Sequence, residues 1–164
     1  MDAFEAYLSD EAFRLFQDKA LREHACNTVE KLCKNNGPKD FMDKSQLYPI
    51  PAVIQSGGFD GLSKLVKNQQ EKNTKKKNKV FWSFMLNHLI NVTGDKDTFQ
   101  SFVRDEMSSF LQDESKAETR VIRNQMKKEN KRKINQVINL LLPAYFEHFN
   151  CHYFYYAAIN KLHK

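Results

Sequence analysis

Residues 80–92 read VFWSFMLNHLINV, thirteen residues with no formal charge and with Phe81, Trp82, Phe84, Met85, Leu86, Leu89 and Ile90 spread around the wheel. A stretch apolar on nearly every side predicts a helix buried at the centre of a helical assembly. Trp82, Phe84 and Met85 belong to that core, and His88 reads as an interior histidine with its polar atoms satisfied. Thr93-Gly94-Asp95 ends the helix.

The segments on either side repeat helical spacing. Upstream, Ala12, Phe13, Phe16, Ala20, Leu21, Ala25, Val29, Leu32 and Cys33 predict one long helix or two shorter ones over 9–35, capped by Ser9 with Asp10 and Glu11 at the positive dipole end. Asn35-Asn36-Gly37-Pro38 supplies the stop. Phe41 to Gln55 carries Pro49 and Pro51, which predict a kinked helix or a turn followed by a short helix. Ser56-Gly57-Gly58 closes it, and Phe59, Leu62, Leu65 and Val66 give another short helix in which Gly61 permits close packing. Downstream, Phe99, Phe102, Val103, Met107, Phe110 and Leu111 line the inner side of an acidic-faced helix over 96–111. Ser115 and Glu118 stand at capping-box spacing and predict a new start, with the helix running to Leu142. Pro143 kinks or restarts it before an aromatic terminal segment holding Tyr145, Phe146, Phe149, Tyr153, Phe154, Tyr155 and Tyr156. Those rings imply burial against the body of the protein or against another subunit.

With five glycines and four prolines in 164 residues, material for many hairpins is missing. The expectation is an all-α, single-domain bundle of about six to eight helices. Residues 1–67 form a first helical half, 68–79 a basic linker loop, and 80–164 a second half ending in the aromatic helix. No apolar run nears the ~20 residues that a bilayer crossing needs. The acidic amino terminus, MDAFEAYLSDEAF, lacks a signal peptide's basic start. Three cysteines, Cys26, Cys33 and Cys151, without a CxxC pair suit free thiols in a reducing cytoplasm.

The net charge of +6 is unevenly placed. Residues 1–30 hold seven acids against three bases, and residues 81–118 repeat that balance. Residues 67–79, KNQQEKNTKKKNK, hold six lysines against Glu71, and residues 120–133, RVIRNQMKKENKRK, hold seven bases against Glu129. Two such blocks create local potentials that attract phosphates, so nucleic acid is the first partner to expect, ahead of an anionic membrane or an acidic protein surface. Lys72, Lys75, Lys76, Lys77 and Lys79 make a solvated loop or a phosphate-contacting one. Arg120, Arg123, Lys127 and Lys131 recur at i, i+3, i+7 and i+11, a stripe along one side of a helix, with Lys128 and Arg132 adjoining. Ile122, Met126, Val137 and Leu141 occupy the neighbouring sector as its packing face. The stripe is either a solvated basic face or a track for a sugar–phosphate backbone.

Catalytic patterns are missing: there is no HExxH, GxSxG, Walker loop, dinucleotide glycine pattern or zinc-finger spacing. His148, Cys151 and His152, with Glu147 adjacent, have helical spacing, but a structural zinc site needs a fourth ligand. Neither a metal nor another cofactor is expected, and no enzymatic activity.

Lys19-Ala20-Leu21-Arg22-Glu23-His24-Ala25-Cys26-Asn27-Thr28-Val29-Glu30, then Phe41, then Leu47-Tyr48-Pro49-Ile50-Pro51-Ala52-Val53-Ile54-Gln55-Ser56-Gly57-Gly58-Phe59, are followed by Leu62, Leu65, a lysine-rich gap and a helix with His88-Leu89. This order resembles the small all-helical subunit of the type III-B CRISPR effector, the Cmr complex, over residues 14–92. The proline–aliphatic–isoleucine–polar–glycine corner at 48–59 carries most of the likeness. The resemblance implies a non-catalytic, cytoplasmic RNA-binding assembly subunit. Its partners would be the guide RNA and target RNA backbone, other effector subunits, and copies of itself in a filament. A helical protein–protein adaptor with an aromatic docking surface is the alternative.

Overall fold

The computed structural model describes residues 2–35, 42, 44–72, 76–91 and 97–162, and the chain is all-α, with no strand among the described residues. Helix α1 (Ala3–Leu8) is capped by Asp2, whose carboxylate accepts from the Glu5 N–H at 2.8 Å. Next come α2 (Glu11–Leu15), a π-helical segment at Phe16–Ala20, and α3 (Leu21–Asn35), without a break between them. The pattern over 9–35 is therefore one helical run. Its cap is Asp10 rather than Ser9, which instead closes α1, a helix that the sequence pattern did not predict.

A short α4 (Lys44–Leu47) leads to α5 (Pro49–Lys72). Pro49 and Pro51 sit in its first turn, where a missing N–H costs nothing. Within α5 the chain kinks at Gly58, whose φ of 58° and ψ of −147° only glycine tolerates well. The kink frees the Phe59 N–H, and the Asn139 side chain accepts it at 2.9 Å. A Cβ on Gly58 would stand 2.8 Å from that same Asn139 Oδ1. Past the kink the helix passes close to its own first half, and a Cβ on Gly61 would meet the Val53 carbonyl at 3.2 Å.

The expected linker over 68–79 is corrected by the structure. Helix α5 continues through Lys72 and α6 (Lys76–Met85) opens with the lysines, leaving only 73–75 outside the described residues. Residues 68–72 carry no apolar period, although Gln69, Gln70, Glu71 and Lys72 are good helix formers. The run persists because Leu62 and Val66 are fully buried just upstream and a nucleated helix extends at little cost. A second π-helical segment, Leu86–Ile90, follows α6, and Phe81, Trp82, Met85 and Leu89 are buried as expected.

Helix α7 (Phe99–Glu106) is capped by Thr98 and is shorter than the expected 96–111, since a 3-10 turn at Ser108–Phe110 takes over its end. Ser115 and Glu118 do not start a helix. Ser115 lies in a 3-10 turn at Glu114–Lys116 and is held by the Asp113 carboxylate through both its N–H and its hydroxyl. The start lies at Thr119, whose hydroxyl oxygen accepts from the Ile122 N–H at 3.1 Å. From there α8 (Arg120–Leu162) runs 43 residues, with Pro143 inside it and no new start.

The core forms where α8 packs on α3 and α5. Val137, Ile138, Leu141, Tyr145, Phe146, Phe149 and Tyr153 are buried along it. The aromatic segment is thus mostly consumed inside the chain itself, with Tyr155 exposed and Phe154 and Tyr156 half-buried. Tyr145 donates to the Thr28 hydroxyl at 3.1 Å, tying α8 to α3 across the centre. The stops at 36–38 and 93–95 lie outside the described residues.

Candidate nucleic-acid interface

Helix α8 begins before the body does. Residues 120–129 are exposed or half-buried, and the first buried residue is Asn130. Ten residues at 1.5 Å each make an arm of about 15 Å, eight of them exposed. Val121 is 67% exposed and Ile122 38%. Ile122 and Met126 therefore do not pack as the sequence pattern predicted, although Val137 and Leu141 do.

The base of the arm is clamped. Asn130 is buried, its Oδ1 accepts from the Gln112 N–H and its Nδ2 donates to the Gln112 carbonyl, both at 2.9 Å. Lys133 donates to the Phe110 carbonyl at 3.1 Å and lies 5.7 Å from the Phe4 ring centre. Asn130 escaped the sequence reading, although its place four residues after Met126 and four before Ile134 puts it on a core-facing row.

Arg120, Arg123, Lys127 and Lys131 are all exposed along one side of this arm, as is Lys128. None of the five forms an ion pair among the described residues. Continued at steps of three and four, the same row becomes Ile134, Ile138, Leu141 and Tyr145, all buried. The cations thus stand on the prolongation of the core-facing stripe, beyond the edge of the body. That face is the one a longer domain would cover, and here it carries charge.

Arg132, alone of the candidates on α8, is paired within the described chain. Its guanidinium grips Glu129 through Nε, 3.2 Å from each carboxylate oxygen, and through Nη2. That bond, with Asp2 and Glu5 adding negative charge, holds the guanidinium's pKa above its ordinary value, and Glu129 is lowered correspondingly.

The lysines of the other block lie elsewhere. Lys72 and Lys79 are exposed, Lys76 and Lys77 occupy the first turn of α6, and Lys75 lies outside the described residues. The Phe81 ring, two residues from Lys79, packs on Phe149 and Tyr153 with centroids at 6.4 and 5.6 Å. Phe149 lies 18 residues along α8 from Lys131, about 27 Å. The two basic blocks are separate places on the molecule.

His148, Cys151 and His152 gain no further ligand: among the described residues no group of three histidines, cysteines or acids is placed to hold a metal ion. His152 instead has its Nε2 3.9 Å from Glu30. No helix among the described residues is long and apolar enough to cross a membrane. No protein-family model matches the sequence, and neither a curated protein nor a solved structure matches it.

Proposed function

We propose that this chain is a non-catalytic RNA-binding assembly subunit of a type III-B CRISPR ribonucleoprotein, contacting the guide RNA–target RNA duplex through phosphates and without reading bases. The observation that carries the proposal is the row Arg120, Arg123, Lys127 and Lys131, exposed, without ion pairs, on a face of α8 that no part of the described chain covers. Four cations spread over about 17 Å of rigid helix match a run of backbone phosphates better than a single small anion. A second basic place about 27 Å away along α8 suits an extended polymer that touches both. The corner at Leu47–Phe59, the stretch that carries the resemblance, is a helix start at Pro49 and a kink at Gly58.

Such contacts position a strand and carry no sequence information, which a subunit accepting any guide needs. The test is binding of the full chain to an RNA duplex across a salt series. Neutralising about four phosphates gives a log–log slope of about −3.6 on duplex and about −2.8 on single strand, by analogy with the measured DNA behaviour. A flat dependence overturns phosphate contact. Association with effector subunits that survives nuclease treatment and is lost when Tyr155 is replaced supports the adaptor instead.

A further inference from the structure

A second polar site lies between α3, the π-helical segment Leu86–Ile90 and the approach to α7. It is a cavity of about 260 Å³ lined by His24, Asn27, Thr28, Lys31, His88 and Asp97. A π segment inside an α-helix is frequently a functional feature, and this one brings His88 to the cavity wall.

The His24 ring is held by neighbours that decide its chemistry. Its Nε2 lies 3.1 Å from the Asp97 carbonyl, so that nitrogen carries the proton and donates it. Nδ1 is then an acceptor, and it is buried with no hydrogen-bond partner among the described residues. The ring stacks on Phe102 with centroids 4.3 Å apart, which fixes its plane. Burial lowers its pKa, so the imidazole stays neutral and Nδ1 stays an acceptor near pH 7. Thr28 cannot serve it, since its hydroxyl already donates to the His24 carbonyl at 2.8 Å and accepts from Tyr145. A buried acceptor left alone is costly, and a ligand that donates to it recovers that cost.

The charge in the cavity says what kind of ligand. Lys31 Nζ lies 3.3 Å from the Asp97 carboxylate, so among the described lining residues the cation and the anion offset each other. An electrically balanced pocket with an enclosed acceptor, an amide at Asn27 and an ion pair at the rim favours a neutral group bearing hydroxyls over a phosphate. The Tyr145 ring is 5.9 Å from His24, and Tyr145 is 14 residues from Lys131 along α8, about 21 Å or roughly six nucleotide steps of 3.4 Å.

We infer that this cavity receives a ribose of the bound strand, whose 2′-hydroxyl donates to His24 Nδ1. The inference rests on the RNA reading of the arm and adds to it a means of telling RNA from DNA. The arm accepts either backbone; the cavity recognises the sugar.

The experiment compares the full chain binding a 12-nucleotide RNA, the same sequence as DNA, and the same sequence with 2′-O-methyl groups, which keep the oxygen and lose the proton. One hydrogen bond of ordinary strength gives RNA an advantage of about threefold to tenfold over both. His24→Gln keeps an amide N–H for the Asp97 carbonyl and removes the Nδ1 acceptor, so it binds all three alike. Lys127→Glu weakens all three and keeps their ratio. In the unsubstituted protein, the His24 Nδ1 resonance moves on adding RNA and stays put on adding DNA, a readout that needs no variant to fold. Equal affinity of the unsubstituted protein for RNA and DNA overturns the ribose site and leaves the arm standing, as does an RNA preference that persists in His24→Gln. Binding of none of the three overturns both.

Discussion

Asn130 grips Gln112 by both of its backbone polar groups, the side-chain amide pairing with the N–H and the carbonyl at 2.9 Å each. This double bond between α8 and the segment ahead of it marks where the body ends and the arm begins. Toward Arg120 from that point the helix is capped by Thr119, and the turn at Glu114–Lys116 lies beside it.

Asn130→Ala should therefore cost about 1–3 kcal/mol, because two backbone groups of Gln112 lose their partner. Urea denaturation reads the loss as a lower midpoint at unchanged slope. An unchanged midpoint would mean that water replaces the clamp freely.

Replacing Arg120, Arg123, Lys127 and Lys131 together by glutamate should leave the melting temperature within a few degrees, since all four are exposed and outside the core. Binding to RNA should fall at least a hundredfold at low salt. Arg132→Gln is the informative contrast, because Glu129 already occupies that guanidinium, and its effect on RNA should be small.

Gly57 and Gly58 should answer alanine in opposite ways. Nothing lies within 4 Å of a Cβ at Gly57, so Gly57→Ala gains helix propensity and stabilises by up to about 1 kcal/mol. Gly58→Ala meets Asn139 Oδ1 at 2.8 Å with φ at 58°, and should lose about 2 kcal/mol or more. Thermal melts of the pair settle the assignment of the kink.

Acid should destabilise the fold through His24. Its folded pKa is depressed by burial below the ordinary 6.5, so the unfolded chain takes up the proton first. The stabilising difference is whole above about 6.5 and shrinks as pH falls from there toward the lowered folded value. His24→Phe should flatten that part of the stability–pH curve, measured by denaturation midpoints between pH 7 and 5.

The thiols should react in order of access. Cys151 is exposed, whereas burial pushes Cys33 up to about 11 and raises Cys26 as well. Alkylation at pH 8, followed by mass mapping, should label Cys151 first and Cys33 last.

Where apolar spacing was strong, the sequence revealed the fold: Phe81, Trp82, Phe84, Met85, Leu89 and Ile90 are buried, and the proline–glycine corner is a helix start and a kink. Local side-chain competition hid the rest. Ser115 and Glu118 have the spacing of a capping box, but Asp113 takes Ser115 first, and the start slips to Thr119. Residues 68–72 contain no apolar period, yet the helix already formed by Leu62 and Val66 carries through them. The stripe at 120–131 was visible as a pattern. What it did not show is that the sector beside the stripe goes unpacked, because Ile122 and Met126 keep core spacing over a place where the body has stopped. His24 gave no signal, since its importance comes from Asp97, 73 residues away.

Helix α8 crosses Pro143 and joins the arm's tip to Tyr153, whose hydroxyl accepts from the Met42 N–H at 2.8 Å. It is a beam anchored by its rear two thirds and loaded at its free end. A strand seated on Arg120 would thus be held by the same unbroken helix that packs on α3 and α5 behind Asn130.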